Sequence, residues 1–303
     1  MASSAADRLR NASLAKSWAL TCARGAGAVG KPARDRVPAV AQTGEDRIAA
    51  AFALRRGRAA LMPYLMGGFP AMATSRAIGE AYAANGADLI ELGVPYSDPL
   101  ADGPTIHAAG AAALRAGATI GAVLEVGEAL ARRVPVVLMC YVNLVLAPGA
   151  DTFVQRLRDA GISGLIVPDL PMGEEPAVTK ACAEQGVALV PLVAPTTTDE
   201  RLALIGAQAR GFLYTVSVTG TTGERGSRAQ AFSELLGRVK RHTEVPVALG
   251  FGIATPEHAA QAADAGADGV IVGTRLVRAA AEAEDPVAAT GDLVAKLAAG
   301  LIR

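Results

Sequence analysis

Leu89-Ile90-Glu91-Leu92-Gly93-Val94-Pro95-Tyr96-Ser97-Asp98-Pro99-Leu100-Ala101-Asp102-Gly103-Pro104-Thr105 opens as a strand and closes as a loop. The run Leu89 to Val94 has the continuous hydrophobicity of a parallel strand covered on both faces, yet Glu91 sits in its middle. A buried carboxylate is costly unless something repays its desolvation. Two other segments align with this one without a gap: Gly161 to Pro168 and Gly266 to Gly273 match Gly86 to Gly93. Strand side chains alternate between faces, so Ile90/Leu92, Leu165/Val167 and Val270/Val272 share the side that packs under helices. Glu91, Ile166 and Ile271 share the other side. Glu91 thus occupies a slot that its sister strands fill with isoleucine, which marks it as a functional acid, a structural ion pair being the alternative.

Asp102 lies eleven residues further on, across a segment too rich in proline and glycine to be helical. If that loop folds back over the strand end, two acids face one pocket and can give and take protons at different substrate atoms. Asp88 reads as the start of the strand, and Ser97-Asp98-Pro99 as turn chemistry.

Outward from this stretch the chain alternates strand and helix. Helix 45–54 opens it, and strands are expected at 59–66, 89–94, 135–141, 164–168, 187–193, 212–217, 245–249 and 269–273, each followed by helix. Thr74 or Ser75 is the expected cap of the helix after Gly67-Gly68-Phe69-Pro70. Eight such units point to a closed (β/α)8 TIM barrel, an α/β fold, rather than to an open doubly wound sheet. The echoes at Gly86, Gly161 and Gly266 are spaced by multiples of roughly 35 residues, the size of one unit. In such a barrel the active site lies at the carboxyl ends of the strands. Glu91, Asp102, Tyr141, Asp169, Tyr214 and the loop 218–226 all fall there.

The predicted domains are a disordered basic extension over 1–43 and a barrel over 44–303. The extension holds seven Lys/Arg against two Asp/Glu, a charge of +5, so a chain of zero net charge carries −5 on its body. Such a body lacks the basic footprint of a nucleic-acid binder. The Ala/Arg/Ser content of the extension fits a disordered arm and also an organellar transit peptide. Because the same residue bias runs through the whole chain, a bacterial-type extension and a cytoplasmic location are the favoured reading. No run reaches the length of a membrane-spanning helix. Cys22, Cys140 and Cys182 show no disulfide or metal-ligand spacing with His107, His242 and His258, which all fall in helix-like segments.

Three glycine turns follow the last three strands: Thr219 to Gly223, Gly250 to Ile253, and Val272 to Arg275. Glycine lets backbone amides approach a ligand, and a helix opening after Gly273 presents its amino-terminal dipole. The three together read as a phosphate cradle, at the place where barrels of this class hold phosphate.

Glu91-Leu-Gly-Val-Pro-Tyr-Ser-Asp-Pro-Leu-Ala-Asp-Gly-Pro-Thr-Ile106 resembles the signature of the tryptophan synthase alpha chain family. Supporting matches are Pro63-Tyr64, Met139-Cys-Tyr-Val-Asn143, Pro168-Asp-Leu-Pro171, Tyr214, Thr222-Gly223, Gly250-Phe-Gly-Ile253 and Gly273-Thr274, and the likeness covers about residues 45–303. It implies retro-aldol cleavage of indole-3-glycerol phosphate to indole and glyceraldehyde 3-phosphate, with no metal or organic cofactor. It implies too that Glu91 moves protons, Asp102 holds the indole N–H, Tyr214 orients Glu91, and Thr222 ties the closing loop to Asp102. Tyr64, Met139, Tyr141, Ile166 and Phe251 would line the indole pocket; Gly223, Gly252, Gly273 and Thr274 would hold phosphate. The implied partner is a pyridoxal-phosphate beta chain in an alpha-beta-beta-alpha assembly. Tyr64 stands where many members have Phe, and Thr274 where many have Ser. A stand-alone lyase and a non-catalytic barrel that activates a partner are the competing readings.

Overall fold

The computed structural model describes residues 43–55, 58–216, 225–250 and 252–302. The extension predicted over 1–43 lies outside them apart from Thr43, as does most of the loop 218–226. Nine strands are formed by the described residues: β1 (Ala60–Met66), β2 (Ile90–Gly93), β3 (Val136–Met139), β4 (Gly164–Ile166), β5 (Ala188–Leu189), β6 (Leu192–Val193), β7 (Leu213–Val216), β8 (Val247–Gly250) and β9 (Gly269–Val272). All neighbouring pairs are parallel, in the order β5-β4-β3-β2-β1-β9-β8-β7-β6.

The two ends of that order belong to one segment. The stretch 187–193, expected as a single strand, divides at Pro191, which has no N–H to donate to a ladder. Val190 N–H still bonds to the Leu165 carbonyl at 2.9 Å, and the Pro191 carbonyl accepts from Tyr214 N–H at 3.0 Å. The segment therefore joins β4 to β7, and the sheet runs round into the expected eight-segment barrel.

Helices follow the strands. The first six are α1 (Gly44–Ala53), α2 (Met72–Ala84), α3 (Pro104–Arg115), α4 (Ile120–Ala131), α5 (Val142–Leu146) and α6 (Ala150–Asp159). The rest are α7 (Pro176–Gln185), α8 (Asp199–Gln208), α9 (Arg225–Lys240), α10 (Pro256–Asp264), α11 (Thr274–Glu282) and α12 (Pro286–Gly300). Two expectations are corrected. α2 starts at Met72, and Ser75 is not its cap: the fully buried Ser75 hydroxyl accepts from Gly68 N–H at 3.1 Å and donates to the Met72 carbonyl at 2.9 Å, fixing the turn after β1. His242 lies past the end of α9, because that helix stops at Lys240. Among the described residues no single helix is long and apolar enough to cross a membrane.

The strand faces divide as alternation requires. Ile90, Leu92, Leu165, Val167, Val270 and Val272 pack in the large cluster beneath the helices. Ile166 and Ile271 join Ala60, Met62, Leu89, Val137, Val190, Phe212 and Ala248 in a separate cluster inside the barrel. α1 supplies Ile48 and Ala51 to that inner cluster, and the Phe52 ring sits 5.9 Å from that of Phe212, so α1 plugs the barrel at the amino ends of the strands. Its first turn is closed by a capping box between Thr43 and Asp46. Its far end is tied down by Asp88, a fully buried carboxylate that pairs with Arg55 and Arg58 and accepts from Leu61 N–H at 2.9 Å.

Candidate active site

Glu91 is the middle of β2, opposite Tyr64 on β1 and Val137 on β3. Only 3% of it is exposed, among inward side chains that are otherwise apolar. Burial pushes its carboxyl up to about 8, and the charge of Asp102 adds to the rise. At neutral pH Glu91 therefore carries a proton that it can give away.

Two tyrosines lean over glycines on neighbouring strands. The Tyr64 ring covers Gly93, where a Cβ would collide with the phenol, and the Tyr214 ring covers Gly250 in the same way. Glycine at these two places makes the close approach of ring to backbone feasible. Both phenols are held well above the ordinary tyrosine value, first by burial; the charge of Glu91 acts on both, and that of Asp102 on Tyr64. The Tyr64 hydroxyl faces the Met66 sulfur at 3.9 Å, a weak acceptor. The charge of Glu91 thus reaches the Tyr214 phenol.

Asp102 arrives from the loop before α3, half-buried at the barrel mouth. Burial raises its carboxyl above the usual carboxylate range, while a hydrogen bond from Tyr141 and the nearby His107 pull it down. The Tyr141 hydroxyl donates to Asp102 Oδ1 at 3.1 Å and accepts from Ala101 N–H at 2.9 Å. Tyr141 in turn stacks on Tyr96, ring centroids 5.0 Å apart, and the Tyr96 hydroxyl accepts from Asn143 Nδ2 at 2.9 Å. Asp169, beyond the end of β4, accepts from Val142 N–H at 2.9 Å and so anchors the first turn of α5. The short helix α5 is absent from the sequence reading, as is the tie between Tyr141 and Asp102. Contacts across 39 to 47 residues leave no periodic trace.

The apolar wall is also assembled. Met139 bridges the inner cluster and a second cluster at the mouth formed by Tyr64, Met66, Ile106, Ala109 and Val277. Ile166, fully buried, is the register partner of Met139 and belongs to the inner cluster. Gly252, with φ of +78°, follows β8; Gly273 precedes α11, which Thr274 begins. The Leu276 and Val277 amides return to the Gly273 carbonyl at 2.9 and 3.1 Å, and the first-turn amides before them lie at the amino end of the helix, where an anion is favoured. Because every strand is parallel, this end of the barrel is also that of the Asp102 loop. Thr222, Gly223 and Phe251 lie outside the described residues.

A family model described as Tryptophan synthase alpha chain matches residues 51–299. The tryptophan synthase alpha chain of Synechococcus elongatus is 46% identical over 224 residues, covering 73% of this chain and 84% of that protein. That of Carboxydothermus hydrogenoformans is 49% identical over 235 residues, covering 76% and 88%. Among solved structures, tryptophan synthase from M. tuberculosis in an open form superposes with TM-score 0.77 at 41% identity, over 84% of this chain and 98% of the other. The alpha subunit from Legionella pneumophila superposes with TM-score 0.79 at 33% identity, over 86% and 99%. A match of this extent, on a closed barrel whose mouth gathers Glu91, Asp102 and Tyr214, means that the chain belongs to the tryptophan synthase alpha chain family.

Proposed function

We infer that this chain is the alpha subunit of a tryptophan synthase, a carbon–carbon lyase that cleaves indole-3-glycerol phosphate to indole and glyceraldehyde 3-phosphate for L-tryptophan biosynthesis. The observation that carries the reading is Glu91: a buried carboxyl that is protonated at neutral pH, set among apolar side chains and influenced by a second acid. Protonated Glu91 gives its proton to the ring carbon that bears the glycerol chain. Asp102 accepts the indole N–H and balances the positive charge that the ring then carries. The carbon–carbon bond breaks, its electron pair returns to the ring, and the side-chain hydroxyl becomes an aldehyde as it surrenders its proton to the Glu91 carboxylate. One proton is given and one is recovered, so Glu91 ends as it began and the step consumes no redox equivalent.

Tyr214 orients Glu91; Tyr64, Met139, Ile166 and, by the resemblance, Phe251 enclose the ring; Gly252, Gly273, Thr274 and, by the resemblance, Gly223 hold the phosphate, and the resemblance has Thr222 tie the closing loop to Asp102. The indole passes to a pyridoxal-phosphate beta chain in an alpha-beta-beta-alpha assembly, and the reaction is cytoplasmic. One assay tests the reading: indole release from indole-3-glycerol phosphate by the full chain, with and without a beta chain. Release that rises with the beta chain supports it. High release that ignores the beta chain makes the protein a stand-alone lyase, and no release in either condition makes it a non-catalytic barrel.

A further inference from the structure

We propose that Tyr141 is a positioning residue for Asp102, rather than only a wall of the indole pocket. It rests on the reading of Asp102 as the acid that meets the indole nitrogen. The Asp102 loop is long and polar, half of it exposed, with Leu100 87% exposed beside the acid. Such a segment does not hold a carboxylate to the tolerance that catalysis needs without a tie to the barrel. Tyr141 makes that tie twice with one oxygen, accepting from Ala101 N–H at 2.9 Å and donating to Asp102 Oδ1 at 3.1 Å.

The phenol is itself held by its ring and by the backbone that follows it. Tyr141 is buried where β3 gives way to α5, and Asp169 holds the next residue, Val142, through its amide at 2.9 Å. The Tyr96 ring stacks on it at 5.0 Å and 22° between planes, and Asn143 Nδ2 holds the Tyr96 hydroxyl at 2.9 Å. Tyr96 stands near the start of the same loop, so both ends of the segment are fastened to the carboxyl end of β3. The hydroxyl relay also fixes direction. Because the oxygen accepts the Ala101 N–H, its own O–H is directed at Asp102 Oδ1, which leaves Oδ2 outside this tie.

The groups that act on Asp102 are Tyr141 through its hydrogen bond and His107 from α3 through its charge, and Asp102 in turn acts on Glu91 from β2 and Tyr64 from β1. Tyr141 donates to the ionised form, so removing the donor moves the Asp102 titration upward. Tyr141→Phe is the test, since it keeps the ring and its stack on Tyr96 while deleting both hydrogen bonds. In the full chain we expect kcat for indole release to fall about tenfold with KM within about twofold, the pattern of a lost transition-state alignment. In the chain labelled with 13C at aspartate carboxyls, the Asp102 signal, identified by its disappearance in Asp102→Asn, titrates at higher pH in Tyr141→Phe. Unchanged kcat with raised KM, or an Asp102 titration that does not move, overturns the proposal. The NMR measurement does not depend on turnover, so it decides the role of Tyr141 even if the full chain releases no indole.

Discussion

Glu91 is a carboxyl whose proton folding retains, and this has two consequences of opposite benefit. Burial and Asp102 raise it to about 8, so the native chain binds this proton more tightly than the unfolded chain does. The contribution to stability is complete below the ordinary carboxyl value and is lost as pH rises toward 8, because over that interval only the unfolded chain is free to release the proton. Glu91→Gln removes the penalty along with the proton. The variant should melt above the native chain at about pH 8, with the gap closing at about pH 5; a gap of equal size at both would mean that Glu91 is not held protonated. Indole release by the same variant should fall about a hundredfold or more while substrate still binds, since the amide keeps the size of the side chain but exchanges no proton. Steady-state turnover beside a substrate-binding titration reads the two effects apart, and a variant that keeps a substantial fraction of native turnover removes Glu91 from proton transfer.

The elements divide into those whose cause is local and those whose cause is remote. The strand-helix alternation and the inward aspect of Glu91 were legible because both rest on periods of two and 3.6 residues that any strand or helix carries with it. The break at Pro191 had a visible signal, a proline inside a strand pattern, which the sequence reading passed over. α5 left no signal, being too short to display a period, and Ser75 was misread because its true partner, Gly68 N–H, belongs to the preceding turn. The part played by α1 was hidden for the same reason: its amphipathic pattern predicts a helix but not that Ile48 fills the inside of the barrel. Ile48→Ala should cost about 2–5 kcal/mol, the range for emptying a buried aliphatic site. Urea unfolding should show a lower midpoint at unchanged slope. Turnover per folded molecule should hold, because α1 closes the end of the barrel opposite the site.

At the scale of the molecule, the fold has a boundary along the chain and the site has one at the surface. The family match opens at residue 51 and α1 at Gly44, but the cap of α1 is Thr43, whose hydroxyl accepts from Asp46 N–H at 3.1 Å. A chain beginning at Gln42 should therefore fold and turn over like the full one, whereas one beginning at Gly44 loses the capping box and about 1 kcal/mol with it; thermal melting of the pair is the measurement, and insolubility of the longer chain would show that residues 1–41 take part in the fold. The surface boundary is the loop that carries Asp102. Its exposed side presents Asp98 and the 87% exposed Leu100, and its buried side is fastened to the barrel through Tyr96 and Tyr141. A partner that grips the exposed side acts on the same short segment that aims the acid, so docking and catalysis share a mechanical element. Adding a beta chain should raise the lyase rate at least about tenfold, or roughly 1.4 kcal/mol of barrier. Asp98→Ala should weaken that activation more than it weakens the basal rate, because Asp98 is exposed on the loop and takes no part in the ties that hold Asp102. Titration of the beta chain into the lyase assay, for the native chain and for Asp98→Ala, separates the two effects; a response equal in both would put the activating contact elsewhere on the barrel mouth.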